Sequence, residues 1–156
     1  MIGRLRCFAV VLALLAVPTL LVFAASGAEN AGHIKVAKGT VQIERSGQRL
    51  AASVGDAVQT GDVLITGADG SVGITLMDNS LLSAGPNSVL SIDRFTFDST
   101  THQGGLEASL RKGTLAVVSG KLAKQSPDAM KVKTPAAVLG VRGTEFLVST
   151  SDAQNP

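Results

Sequence analysis

The amino-acid sequence predicts an all-β protein, an antiparallel β-sandwich of about ten short strands. Three observations lead to this prediction. From residue 33 onward apolar and polar residues alternate with a period of two, as in strands with one buried face. Turn residues recur at short intervals, and the chain contains 17 glycines. No segment of the body longer than a turn has the apolar period of a helix.

Length and composition set the size of the core and its chemistry. A chain of 156 residues with 45% hydrophobic content is long enough for one domain with a buried core. It contains five Phe but no Trp or Tyr, so the core must be built mainly from aliphatic side chains. Stacking platforms for sugars or bases need aromatic rings, and such platforms are hard to assemble here.

The net charge of +2 is confined to the N-terminal segment. Of 14 Lys and Arg residues, Arg4 and Arg6 precede the first apolar run, which leaves 12 against 12 Asp and Glu. A neutral body argues against a nucleic-acid partner. The single cysteine, Cys7, lies in the same segment. The body therefore has no disulfide, thiolate metal site or cysteine nucleophile.

Residues 1–28 have the layout of a secretory signal peptide. A short positive region is followed by an uncharged apolar run over residues 7–25 and by the small residues Ser26, Gly27 and Ala28. The run is also long enough to span a bilayer, so an uncleaved membrane anchor is the alternative. In both cases the positive-inside rule places the body outside the cytoplasm, in the periplasm or cell envelope.

The first half of the body is predicted to contain two hairpins and two further strands. Residues 33–37 and 40–44 alternate on either side of Lys38-Gly39, which we interpret as a hairpin turn. Asp78-Asn79 forms a second two-residue turn. The remaining predicted strands of this half are residues 63–66, 71–77, 80–84 and 89–95.

Glycine and aspartate pairs are predicted to form tight corners between these strands. Glycine supplies positive φ, and aspartate binds its own backbone two residues further on. The predicted turn-forming residues are Gly55, Asp56, Gly61, Asp62, Asp69 and Gly70.

The second half is predicted to contain another hairpin, two loops and two final strands. Residues 106–110 and 114–118 flank Arg111-Lys112-Gly113, which we interpret as a hairpin turn. The polar segments 98–105 and 120–128 are predicted to be loops. Strands over residues 130–133 and 144–150 follow, and residues 151–156 form a polar tail. The domain itself is predicted over residues 32–150.

The segment KTPAAVLGVRGTEF, residues 133–146, fits no simple alternating strand. Proline disfavours the α region for the residue before it, so Thr134-Pro135 reads as an extended or turn dipeptide. Two glycines, Gly140 and Gly143, bracket Val141-Arg142. We interpret Arg142 as pairing with a buried carboxylate or with carbonyls, and thus as structural rather than as a ligand contact.

No set of residues is arranged for catalysis or metal binding. His33 and His102 have no second ligand at suitable spacing. The turn carboxylates Asp56, Asp62, Asp69 and Asp78 lack the alternating spacing of a calcium loop. A nucleophile elbow, a paired acid and base and a phosphate-binding loop are also missing. We therefore expect a protein that is not an enzyme and has no cofactor or metal.

Basic residues recur near the second loop and could form a positive face. Because the body is neutral, we interpret them as ordinary solvated surface. A true patch would favour an acidic partner at low salt. These residues are Arg111, Lys112, Lys121, Lys124, Lys131 and Lys133.

Two blocks together resemble a FecR-type domain. The first is VGDAVQTGDVLITGADGSVGITLMDNSLLSAGPNSVLSI, and the second, after a G-x-L strand at residues 113–115, is KTPAAVLGVRGTEFLV. The resemblance covers residues 32–148 and implies a jelly-roll-like sandwich, an envelope location and a role in protein–protein signalling rather than catalysis. The signature positions it implies are Thr134, Pro135, Gly140, Arg142, Gly143 and Thr144.

Two departures from the family pattern shape the expected function. Sensor-type members resemble anti-sigma regulators with a cytoplasmic helical segment, whereas only residues 1–6 precede the apolar run here. We therefore expect no direct control of a sigma factor. Members also usually continue with further strands after the RGT strand. The sequence ends at Pro156, which leaves two alternatives: the gene product is short, or an edge strand is left open and could accept a partner's strand.

The sequence thus predicts an exported, non-enzymatic FecR-like module that binds an envelope protein or ligand in signalling or assembly. The alternative is a β-sandwich module that binds the cell wall or a polysaccharide. The scarcity of aromatic residues argues against this alternative, because sugar binding usually relies on stacking rings.

Overall fold

A computed structural model describes residues 29–126, 128–141 and 145–151. The predicted signal segment, residues 1–28, lies outside the described residues, and so do residues 142–144 with Arg142, Gly143 and Thr144. Across the described residues, no helix combines the length and the apolar character required to cross a membrane.

Twelve strands and one short helix make up the described chain. The predicted all-β, antiparallel fold class is confirmed, with two strands more than the count of about ten predicted from turn spacing. The elements in order are β1 (Asn30–Lys38), β2 (Val41–Arg45), β3 (Gln48–Ala51), β4 (Ala57–Gln59), β5 (Val63–Thr66), β6 (Ser71–Leu76), β7 (Leu81–Ala84), β8 (Val89–Phe97), β9 (Gly104–Val118), α1 (Lys121–Gln125), β10 (Met130–Lys133), β11 (Val138–Gly140) and β12 (Glu145–Thr150).

The strands form one continuous sheet whose two halves share the long strand β9. The first part of β9 pairs with β8 and β10, which gives one half the order β3-β2-β5-β8-β9-β10-β11. The second part pairs with β7 and β12, which gives the other half the order β4-β1-β6-β7-β9-β12. The outermost strands are therefore β3 and β4 on one side and β11 and β12 on the other.

The hairpin predicted at Arg111-Lys112-Gly113 is wrong, because these residues lie within the single strand β9. The chain does not reverse there but continues as one strand that bends at Gly113, where φ is +93°. The buried positions change from even numbers, such as Leu110, to odd numbers, such as Leu115. The register with β8 shifts by one residue between Leu110 and Lys112, and such a bulge changes the phase as a turn does, so the sequence pattern could not distinguish them.

The first predicted hairpin, between residues 33–37 and 40–44, is also wrong. Strand β1 pairs with β4 and β6, whereas β2 pairs with β3 and β5, so the two strands lie in different halves of the sheet. Gly39, with φ of +61°, lies against the main chain of Asp69 at this crossing. The predicted turn at Lys38-Gly39 is present, but it forms a corner between the two halves of the sheet and not a hairpin.

The predicted loop over residues 120–128 contains the helix α1. This helix lies in the connection between β9 and β10, which pair in parallel. Strand β10 runs parallel to the start of β9, so the chain must return along the length of β9 before β10 begins. The buried carboxylate of Asp78 holds this return by accepting hydrogen bonds from the Ser80 hydroxyl (2.6 Å) and the Leu122 N–H (3.3 Å). This one connection supplies both the parallel strand and the helix.

The core is a single cluster of side chains from both halves of the sheet. It is almost entirely aliphatic, as the composition predicted, with Phe95 as its fully buried ring. Alternate residues of β6 and β9 face inward, in agreement with the period-two pattern of the sequence.

Candidate functional site

The turn carboxylates are occupied by separate local contacts. Asp56 accepts a hydrogen bond from the Ser53 N–H (2.8 Å), and Asp69 accepts one from the Thr40 N–H (3.3 Å). Hydrogen bonds from backbone N–H groups hold the pKa of Asp69 below its ordinary value. Within residues 29–126, 128–141 and 145–151, no group of three or more His, Cys, Asp or Glu side chains could hold a metal ion.

The corner glycines and the histidines also have simple local surroundings. Gly55 and Gly61 have φ of +97° and +92° with open space around them, and Gly70 lies tightly against the main chain of Thr40. His33 is exposed on β1, and the ring of His102 stacks on Phe97 with centroids 6.1 Å apart.

Asp62 has a role that its place in a turn did not predict. Its side chain is 1% exposed and forms a bidentate pair with Arg45 on β2, at 2.8 Å and 2.6 Å. It also accepts the Gln59 N–H at 2.8 Å. The hydrogen bond from Arg45 to this carboxylate raises the pKa of the guanidinium. This ion pair links β2 to the corner before β5. The two residues are distant in sequence and come together only in the folded chain.

The predicted basic residues do not form one patch. Lys121 and Lys124 belong to α1, whereas Lys131 and Lys133 lie on the outer face of β10. Lys133 pairs with Glu107 at 2.8 Å, and this contact lowers the pKa of Glu107 and raises the pKa of Lys133. Lys131 forms no hydrogen bond or ion pair in the described part of the chain.

The signature segment forms an exposed hairpin at one end of the sheet. Strands β10 and β11 are joined by a turn in which the Thr134 N–H donates to the Ala137 carbonyl (2.7 Å). Pro135 and every residue of β11 are exposed. The described signature residues Thr134, Pro135 and Gly140 therefore lie at the surface, not in the core.

Strand β11 has one free edge, because among the described residues it pairs only with β10. Hydrogen bonds link Thr134 to Ala137 at one end of this pairing and Met130 to Val141 at the other. In an antiparallel ladder hydrogen-bonded and non-hydrogen-bonded pairs alternate. The N–H and C=O groups of Val138 and Gly140 therefore point away from β10, where a further strand would bind.

The surroundings of this edge are mostly apolar and include one exposed carboxylate, that of Glu145. Val138 is 64% exposed and Leu147, on the neighbouring outermost strand β12, is 72% exposed. A cavity of about 210 Å³ is lined by residues 139–141, at the end of β11, and by residues 145–148 of β12. We call this region, residues 138–141 and 145–148, the open edge.

Gly140 has no structural requirement within the described chain. A Cβ atom there would meet no described atom within 4 Å, and its φ lies outside the positive region that favours glycine. Every other described glycine has either a positive φ or a neighbouring atom within 4 Å. A glycine in a strand often marks a place where another backbone approaches closely.

Part of the open edge was visible in the sequence. The sequence predicts a free strand edge at the end of the chain. In the structure β11 also has a free edge, and its apolar side chains are exposed. The signal was the unbroken apolar run of residues 136–139 directly after a proline turn, which is unusual for a strand with one solvated face.

Comparisons with known proteins agree with the sequence blocks. A family model described as "FecR protein" matches residues 62–155, which is more than half of the 156 residues and confirms the predicted resemblance. A solved structure described as "Cell surface anchoring domain" is 29% identical, with a TM-score of 0.38, over 39% of this chain and 82% of that chain. No curated protein matches the chain.

Proposed function

Because the chain belongs to the FecR protein family, we propose that it is a non-enzymatic binding module of the cell envelope that takes up an extended strand of another envelope protein at the open edge. The observation that carries the proposal is the free edge of β11, with outward-facing backbone groups at Val138 and Gly140. Strand addition uses such groups for affinity and the neighbouring side chains for specificity.

Strands β3 and β11, the two outermost strands of one half of the sheet, differ in a way that supports this proposal. Proteins usually protect their outermost strands with charged side chains, since unprotected edges pair with other chains. On the opposite side, β3 carries Arg49, which forms an ion pair with Glu44 at 2.9 Å. Strand β11 contains only Val138, Leu139 and Gly140 and has no charge. An edge without this protection is suited to a partner strand.

An envelope location rests on the family and on the N-terminal segment. FecR-type domains are envelope modules, and residues 1–28 have the composition of a signal peptide or anchor. We place the body outside the cytoplasm, where it meets other exported proteins. A role in signalling or assembly follows from binding a partner rather than from chemistry on a substrate.

The proposal is tested by crosslinking in intact cells. A photo-reactive amino acid at Ala136, in the exposed hairpin turn, should give a discrete adduct with an envelope protein. Val138→Lys should weaken that adduct about tenfold, because a lysine on an edge strand opposes pairing. The measurement is the adduct band on a gel, with the partner identified by mass spectrometry.

Leu50→Lys is the matched control, because Leu50 is a comparable exposed apolar residue, 51% exposed, on the opposite outermost strand β3. It should leave the adduct unchanged. An adduct that survives Val138→Lys, or that is equally weakened by both variants, would contradict the proposal. Sedimentation with insoluble peptidoglycan that is independent of Val138 would favour the cell-wall-binding alternative instead.

A further inference from the structure

The outer face beside the open edge carries a row of charges that ends at a glycine. Register pairs across β8, β9, β10 and β11 bring Arg94, Glu107, Lys131 and Gly140 into one line. Residues directly opposite each other in neighbouring strands present their side chains on the same face. From β8 to β11 the row therefore consists of a cation, an anion, a cation and a glycine, which has no side chain.

Lys131 is the cation in this row whose charge is available to a partner at the edge. Glu107 is engaged by Lys133 at 2.8 Å, so its carboxylate is already paired. Lys131 is exposed and forms no hydrogen-bonded ion pair among the described residues, although its charge acts together with that of Lys133 to lower the pKa of Glu107. Among the described residues only Gly140 lies between Lys131 and the free edge, and a Cβ at that position would meet no described atom within 4 Å.

The backbone places a partner residue directly across the glycine. Gly140 forms a non-hydrogen-bonded pair with Lys131, in which Cα atoms approach to about 4.5 Å. A strand added beyond β11 would put one of its residues opposite Gly140, on the same face. An acidic side chain there could reach over the glycine to the Lys131 ammonium, because no side chain at position 140 stands between them. The residue two positions away would lie opposite Val138, an exposed aliphatic side chain whose partner on β10 is Lys133.

We infer that the open edge selects an extended segment with an aspartate or glutamate opposite Gly140 and an aliphatic residue two positions away, opposite Val138. This inference rests on the proposed function and adds the chemistry of the partner. Gly140 is then a specificity-determining position, since its missing side chain exposes Lys131 to the partner strand.

A displayed library of strand-length peptides, about ten residues each, tests the inference when selected on the full chain and its variants. The wild type should enrich peptides with an acidic residue and an aliphatic residue two positions apart. Lys131→Glu should reverse the charge preference to Lys or Arg, and Lys131→Gln should remove it. An acidic peptide should bind Lys131→Glu about fivefold more weakly, the value of a cross-strand charge pair.

Gly140→Val is an independent test, because it changes no charge and should alter the acidic preference only if Gly140 exposes Lys131 to the partner strand. The valine fits the open space and suits a strand, so the variant should unfold with the wild type and still bind strands. Its side chain would cover Lys131, and the acidic preference should disappear.

The outcomes separate this inference from the proposed function. Peptides that need Val138 but show the same residue preference on the wild type and on Lys131→Glu would overturn the acidic recognition and leave strand addition standing. Peptides that bind Val138→Lys as well as the wild type, or a library with no enrichment, would overturn both.

Discussion

Gly113→Ala is expected to lower the free energy of unfolding by about 3 kcal/mol. Two effects combine at this position. Gly113 has φ of +93°, which costs any residue with a Cβ, and the added Cβ would lie 2.5 Å from the Cα of Ser88. Ser88 is buried, and its hydroxyl accepts the Thr114 N–H at 3.1 Å. Relieving the overlap would break this contact at the bend of β9. Denaturant unfolding measures the loss as a shift of the midpoint at constant slope.

Gly47→Ala separates the two effects. Gly47 also has a positive φ, +78°, but a Cβ there would meet nothing within 4 Å. Its loss should be about 1 kcal/mol, the cost of the backbone conformation alone. Equal losses in the two variants would mean that the approach of Ser88 to β9 contributes nothing, contrary to the structure.

Arg45→Met is expected to destabilise the protein by about 2–3 kcal/mol. The substitution keeps an unbranched apolar stem but removes two of the three donors that the Asp62 carboxylate has, while that carboxylate stays 1% exposed. An uncompensated buried charge is the cause of the loss. We place the effect below the usual range for a fully buried pair, because the Arg45 side chain is 34% exposed. The measurement is again the free energy of unfolding from denaturant titration.

Arg49→Met is the control, since Arg49 forms its ion pair with Glu44 on the surface. Its side chain is 63% exposed, and exposed pairs contribute about 0.5 kcal/mol or less. A double substitution, Arg45→Met with Asp62→Leu, should recover much of the loss, because it removes the buried charge together with its partner. A single variant as stable as Arg49→Met would refute the structural role of the pair.

Local chemistry in the sequence predicted the strands well and their pairing only in part. Alternation located β5, β6, β8 and β10 close to their observed bounds, and Asp78-Asn79 does join two paired strands. Alternation does not say which strand lies beside which. The glycines at positions 39 and 113 therefore read as hairpin turns, although one forms a corner and the other a bend.

The candidate site was likewise predicted only in part from the sequence. The signature segment stood out because it breaks the alternation, and an open edge was expected from the family pattern. The exposure of Val138 and the alignment of Gly140 with Lys131 depend on the register of β10 with both neighbours. The buried pair of Arg45 and Asp62 likewise joins residues 17 positions apart that no local pattern connects. Long-range register carries this information, and one sequence does not display it.

The sharing of β9 between both halves of the sheet has a consequence for folding. The partners of β9 span residues 81–97 on one side and 130–150 on the other; β8 forms a hairpin with it, whereas the contacts with β7, β10 and β12 are more distant in sequence and slower to form. Before β9 docks, β7 and β8 are both unfinished edges. Once it docks, neither half can open without removing hydrogen bonds from the other. The two halves are therefore expected to melt together as one cooperative unit, in a single transition.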